Sequence, residues 1–342
     1  MPVQEKARQH YESTWDRVDS FIKDDVQLGL PRSEIIQNVF RRLSAHFLAI
    51  QPFRDYYEHV GLEFDAMHNP LERIVVRNGV YQIVPFSDFK NDFVASTLTQ
   101  FIESQANDFD CIVELGSGFG RNLFMLDEAL ARANRRIPLH ACELTDNGRR
   151  VTQELQQLGP EIPLQIHPFD YYDPDLSFLE PGSRVLFLTV HSIEQIPSLP
   201  HSVIERMLAR TSDCSCFHFE PVGWQTNQEL VLKRGKSNRS ESGIAGTLAH
   251  GTRSFFKSYA RTKQKPFGFP SIHLEHNDIG QAHRVAENAA AWSARAGYNT
   301  NLIEMLISME KDHRISISDT RYDVFGINPF NPSTVIQWNR QG

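Results

Sequence analysis

The stretch 111–122, CIVELGSGFGRN, sets three glycines on alternate positions behind a short apolar run that contains an acid. Such a run, β-branched in part and bounded by glycine, reads as a buried strand. Alternate glycines permit the left-handed backbone of a tight turn and leave no Cβ between the chain and a ligand. The residues that follow return to helical spacing, so a helix is expected from about Arg121 to Ala133. Strand, glycine turn and helix, in that order, is how an α/β sheet presents a nucleotide site. A plain alternative is that the glycines only turn the chain.

The following residues repeat the pattern. Short apolar runs recur as LHACEL (139–144), LQIHPF (164–169), RVLFLTV (184–190) and CSCFHF (214–219), with helical stretches around 147–157 and 201–210. Continuous apolar strands alternating with helices predict a parallel sheet covered on both faces. Near the C-terminus, QAHRVAENAAAWSARAGYN reads as a helix ending at Gly297, and NLIEMLIS and STVIQWN as two final strands. Ahead of the sheet, residues 1 to about 65 read as helical, with Ser33 as a candidate N-cap for the second helix. RIVVRNGVYQIV is expected to be a hairpin turning at Asn78-Gly79, and a further helix is expected from Ser87. This leading segment reads as a cap.

Charge is distributed unevenly. Between Lys233 and Lys265 nine Lys or Arg stand against one acid, Glu241, a local charge of +8. The whole chain carries −7, so the remainder carries −15. That balance argues against broad nucleic-acid binding. The opening MPVQEKARQHYESTWDR has no apolar core of a signal peptide, and the apolar runs are too short to span a bilayer. Cys111, Cys142, Cys214 and Cys216 all fall inside apolar runs, which predicts buried, reduced thiols and a cytoplasmic location. HLEH (273–276) offers two His but no third ligand, so no metal is assigned.

The glycine spacing separates the candidate ligands. It is an acid followed by G-x-G-x-G, not the G-x-G-x-x-G of dinucleotide binders, and GRN does not supply the Gly-Lys-Ser/Thr of a P-loop. The stretch resembles the first motif of the class I S-adenosylmethionine-dependent methyltransferases, and the likeness extends over roughly residues 85–342 apart from the basic stretch. It implies S-adenosylmethionine as cofactor, with Glu114 near its cationic amine and Gly116, Gly118, Gly120 and Asn122 along the loop. It further implies that Glu143 bonds the ribose hydroxyls and Asp170 the adenine amino group. Val190 would close the fourth strand beside the transferred methyl. Glu143 suits a diol because a carboxylate accepts two hydrogen bonds.

The expected fold is α/β, Rossmann-like and doubly wound: a mostly parallel seven-stranded sheet with helices on both faces. An N-terminal helical cap with a small hairpin would occupy 1–108, and the methyltransferase domain 109–342, with a basic insertion at about 222–278. The expected reaction is methyl transfer to an O or N atom of a small, anionic metabolite, such as a sugar or natural-product intermediate. Deprotonating such an acceptor needs a general base, for which His191, Glu194 and Glu220 are the candidates. The alternatives are methylation of a protein or peptide side chain, with an acidic carrier protein or peptide as partner, and a non-catalytic binding scaffold. A homodimer is compatible with the sequence, and no membrane partner is expected.

Overall fold

The computed structural model describes residues 3–48, 63, 71–85, 108–159, 161–241 and 278–341. Two helices lead, α1 (Val3–Gln27) and α2 (Arg32–Leu48), followed by the hairpin β1 (Glu72–Arg77) and β2 (Val80–Pro85). Then come β3 (Cys111–Leu115), α3 (Arg121–Arg132), β4 (Leu139–Glu143), α4 (Asp146–Gln157), β5 (Leu164–Pro168), β6 (Ser183–Val190), α5 (His201–Arg210) and β7 (Thr211–Glu220). The chain continues through α6 (Gln228–Glu241), α7 (Asp278–Ala296), α8 (Leu302–Lys311), β8 (Ile315–Gly326) and β9 (Ser333–Arg340).

All nine strands join one sheet in the order β2-β1-β8-β9-β7-β6-β3-β4-β5. The five from β3 to β7 are parallel to one another, whereas β9, β8, β1 and β2 are added antiparallel. The expected seven-stranded, mostly parallel sheet is therefore corrected to a nine-stranded mixed one. The hairpin accounts for the difference. It turns at Asn78-Gly79 as the sequence predicts, but β1 pairs with β8 and so extends the sheet.

The C-terminal reading is also corrected. Residues 302–309 form part of helix α8, with Leu302, Met305, Leu306 and Met309 buried along one stripe. The spacing i, i+3, i+4, i+7 is that of one helical face. The penultimate strand is instead ISISDTRYDVFG, whose polar residues conceal it because its pleat is buried only at the two ends. Ser33 lies inside the first turn of α2 rather than capping it. The helix expected from Ser87, HLEH and most of the basic stretch lie outside the described residues.

The sheet separates two apolar clusters. One packs Leu123, Phe124, Leu126 and Leu130 of α3 and Val151 and Leu155 of α4 against Ile112, Leu186 and Phe217, and takes in Val18 and Ile22 of α1. The other packs α5 and α8 against Val113, Phe187, Cys214, Cys216 and Trp338. All four cysteines are buried and free, as their positions in apolar strands predict. Among the described residues no helix is long and apolar enough to cross a membrane.

Candidate functional site at the strand ends

β3 lies between β4 and β6, so the chain leaves it in opposite directions across the sheet. Open α/β sheets bind ligands at this kind of switch point, beyond the carboxyl ends of the strands. Gly116 and Ser117 donate their backbone N–H groups to the Cys142 carbonyl at 2.8 and 2.9 Å, pinning the loop to β4. Gly116, Gly118 and Gly120 have φ of 75°, 57° and 76°, values at which any side chain is strained.

Each glycine is also crowded. A Cβ on Gly116 would stand 2.4 Å from Ser192 Cβ, one on Gly120 2.7 Å from Thr152 Cγ2, and one on Gly118 3.0 Å from the Trp15 ring. The room made by the first and third glycines is thus filled by protein. At Gly118 the group facing the backbone comes from α1.

Three sequence-predicted residues, Glu114, Asn122 and Glu143, meet around this loop. Glu114, inside β3, accepts a hydrogen bond at Oε1 from Asn122 Nδ2 at 2.6 Å. Its Oε2 is buried with no hydrogen-bond partner. Burial, only partly offset by Asn122, pushes its pKa up to about 8. Glu143, at the end of β4, accepts from Gly118 N at 3.0 Å through Oε2. Its Oε1 accepts from Thr145 N at 3.0 Å and Thr145 Oγ1 at 2.6 Å. Burial raises the Glu143 pKa, and these bonds hold the rise back. Asp170 lies two residues past β5, where Oδ1 accepts from Tyr172 N at 2.9 Å, and Phe169 N donates to the Glu143 carbonyl.

The three base candidates gather at the ends of β6 and β7. Val190 closes β6 opposite Phe219, and His191 follows in a left-handed conformation, φ 51°. A non-glycine residue there is uncommon and marks an over-determined position. His191 Nδ1 stands 3.3 Å from Glu194 Oε2, and Nε2 2.7 Å from Ser333 Oγ. Asn331 Nδ2 donates to the same Glu194 oxygen at 2.8 Å, and Gln195 Nε2 donates to the other. Burial works to lower the His191 pKa, but the charge and hydrogen bond of Glu194, with help from Glu220, raise it above the ordinary value.

Glu220 has a different setting. It is fully buried and accepts from the backbone N–H groups of Ser192, Ile193 and Glu194, each at 3.1 Å. Burial, then the Glu194 charge, lifts its pKa to about 7. Its oxygens are engaged in shaping the loop that carries His191 and Glu194.

Several partners escaped the sequence reading. Asn331 comes from the β8–β9 connection, and Ser333 is the first residue of β9. Tyr298 follows α7 and feels Glu194 among the causes that, after burial, raise its pKa. Ser192 Oγ and Tyr171 Oη both lie 2.8 Å from the Leu115 carbonyl and 2.7 Å from each other, closing the switch point. Only the turn-rich NPFNPS (328–333) could have flagged its segment. Among the described residues no group of three or more His, Cys, Asp or Glu could hold a metal ion.

No protein-family model matches the sequence, and no curated protein matches it. Solved structures do. The CMeT domain of the citrinin polyketide synthase aligns with a TM-score of 0.39 and 11% identity over 72% of this chain, which spans 52% of that one. The plantazolicin methyltransferase BpumL, in complex with a monoazolic desmethylPZN analog and SAH, gives 0.38 and 10% over 91% of this chain and 99% of that one. The magnesium protoporphyrin IX methyltransferase ChlM from Synechocystis PCC 6803, with bound SAH, gives 0.32 and 12% over 72% and 81%.

Proposed function

We propose that the chain binds S-adenosylmethionine at the β3–β4 end of the sheet and transfers its methyl group to an oxygen or nitrogen of a small molecule. The observation that carries this reading is the unpartnered, buried Oε2 of Glu114 beside the glycine loop. A buried carboxylate oxygen without a donor is costly, and a cationic amine in reach would satisfy it. Acceptors suited to the rest of the ligand stand nearby. Glu143 stands at the adjacent strand end, where a ribose hydroxyl would add to or replace one of the bonds it now accepts from Gly118 and Thr145, and Asp170 follows the next strand for an exocyclic amine. Gly116, Gly118, Gly120, Asn122 and Val190 complete the assignment.

When bound, the cofactor supplies a methyl group on a sulfonium, an electrophile needing only an aligned acceptor. Glu194 holds the Nδ1 side of His191, which leaves Nε2, facing Ser333 Oγ, to take the acceptor's proton. Glu220 positions this pair through its three backbone bonds. In this reading helices α1 and α2 of the leading segment (1–108) serve as the cap, while its β1–β2 hairpin joins the sheet of the transfer domain (109–342). The anionic acceptor expected from the sequence rests on residues that lie mostly outside the described ones. Calorimetric titration with S-adenosylmethionine and with S-adenosylhomocysteine tests the proposal. Micromolar binding of both is expected, and no binding to folded protein would refute it.

A further inference from the structure

Helix α1 reaches across the candidate cofactor site with more specific contacts than a cap requires. Glu12 accepts from Asp146 N and Asn147 N, each at 3.1 Å, through its two carboxylate oxygens. It thereby caps α4 from 134 positions away. Asn147 Nδ2 donates to Asp16 Oδ1 at 2.8 Å, and Arg150 pairs with Asp19 at 3.3 Å. α4 begins three residues after Glu143, so these bonds fasten α1 over the strand end assigned to the ribose.

The helix carries two aromatic residues one turn apart into that space. Trp15 packs on Phe119, ring centroids 5.7 Å apart, and stacks on Tyr11 at 5.9 Å and 27°. Its indole is the group that a Cβ at Gly118 would meet. Gly118 is also the residue whose N–H is held by Glu143. Tyr11 is the second member of the pair. Burial, then Tyr298 and the carboxylates of Glu194, Glu143 and Glu220, raise its phenol well above the ordinary value.

We propose that Trp15, held by the Glu12 tether and backed by Tyr11, is a cofactor-binding residue whose indole leaves Gly118 and re-seats against the nucleoside when the ligand binds. The inference rests on the cofactor reading above. The indole occupies the space in front of Gly118 that a ligand approaching this face of the loop would take. An aromatic face beside a nucleoside is a stacking platform. The tether keeps the helix in place while the side chain moves.

The experiment titrates S-adenosylhomocysteine into wild type, Trp15→Phe, Trp15→Ala and Glu12→Gln, following heat and tryptophan emission, with melting temperature as the control for folding. The chain has four tryptophans. Expected are a ligand-dependent emission change in wild type that disappears in Trp15→Phe, and an affinity lowered about tenfold in Trp15→Ala. Glu12→Gln, which weakens the tether, is expected to lower the affinity as well. Folded variants binding with wild-type affinity, together with an emission change that survives Trp15→Phe, would overturn the proposal. Absence of binding by wild type would instead remove the cofactor reading itself.

Discussion

Glu143 Oε2, at the end of β4, accepts a 3.0 Å hydrogen bond from Gly118 N in the loop after β3, which fixes the glycine loop to the end of β4. The same carboxylate accepts two bonds from Thr145. Glu143→Ala strands three donors in a buried setting, at about 1–3 kcal/mol for a group left unmatched. A lower denaturation midpoint and at least tenfold weaker S-adenosylhomocysteine binding are expected. Equilibrium denaturation and calorimetry on the same preparation read both.

Gly116 and Ser192 form the tightest crossing of the switch point. Gly116→Ala adds a Cβ within 2.4 Å of Ser192 Cβ at a φ of 75°, so the expected loss combines overpacking, typically about 1–3 kcal/mol, with backbone strain. Adding Ser192→Gly should relieve the first and leave the second. A double-mutant cycle measures the coupling, and simple additivity would show that the crossing does not limit the loop.

Stability should fall as pH rises across the neutral range. Glu114 and Glu220 have folded pKa values of about 8 and about 7, above those of the unfolded chain. Their contribution is complete below about pH 4.5 and is lost as pH rises through the folded values. His191 is raised too, so its contribution is present below about 6.5 and lost as pH passes its folded value. All three act in one direction. Below about pH 6.5 the buried His218 and His140, pushed down to about 3 and about 4, oppose this trend, so melting temperatures should decline between about pH 6.5 and 8, and Glu114→Gln should flatten the decline. An unchanged slope would show that Glu114 ionises freely in the fold.

If His191 takes the acceptor's proton, His191→Asn should lower turnover by roughly 10²–10⁴-fold with little change in cofactor affinity. The wild-type rate should rise with pH as the raised pKa is passed. Ser333→Ala, removing the hydroxyl 2.7 Å from Nε2, should shift that profile. An unaltered rate in His191→Asn would remove the residue from this role.

The parallel half of the sheet could be read directly because strands covered on both faces are written as unbroken apolar runs. VLFLTV (185–190) and CIVEL (111–115) have no competing helical reading. The antiparallel half was harder. NLIEMLIS is apolar enough for a strand and too short for its period to be decisive, and only burial of every third or fourth residue resolves it. The acids at strand ends were visible because β3, β4 and β7 each end at or next to a Glu. Their partners were not. Ser333, Asn331 and Trp15 reach the site from 142, 137 and 103 positions away from His191, Glu194 and Gly118, respectively. Sheet topology brings them together, and no local pattern announces it.

The left-handed backbone at His191 restricts what could ever replace it. Asparagine, aspartate and glycine tolerate that conformation, whereas β-branched residues pay heavily for it. Most single-residue neighbours of histidine would disturb the loop before their chemistry could be compared. The position is therefore conformationally gated as well as chemically selected. On conformational grounds His191 can be exchanged for an acid or an amide far more readily than for a β-branched side chain.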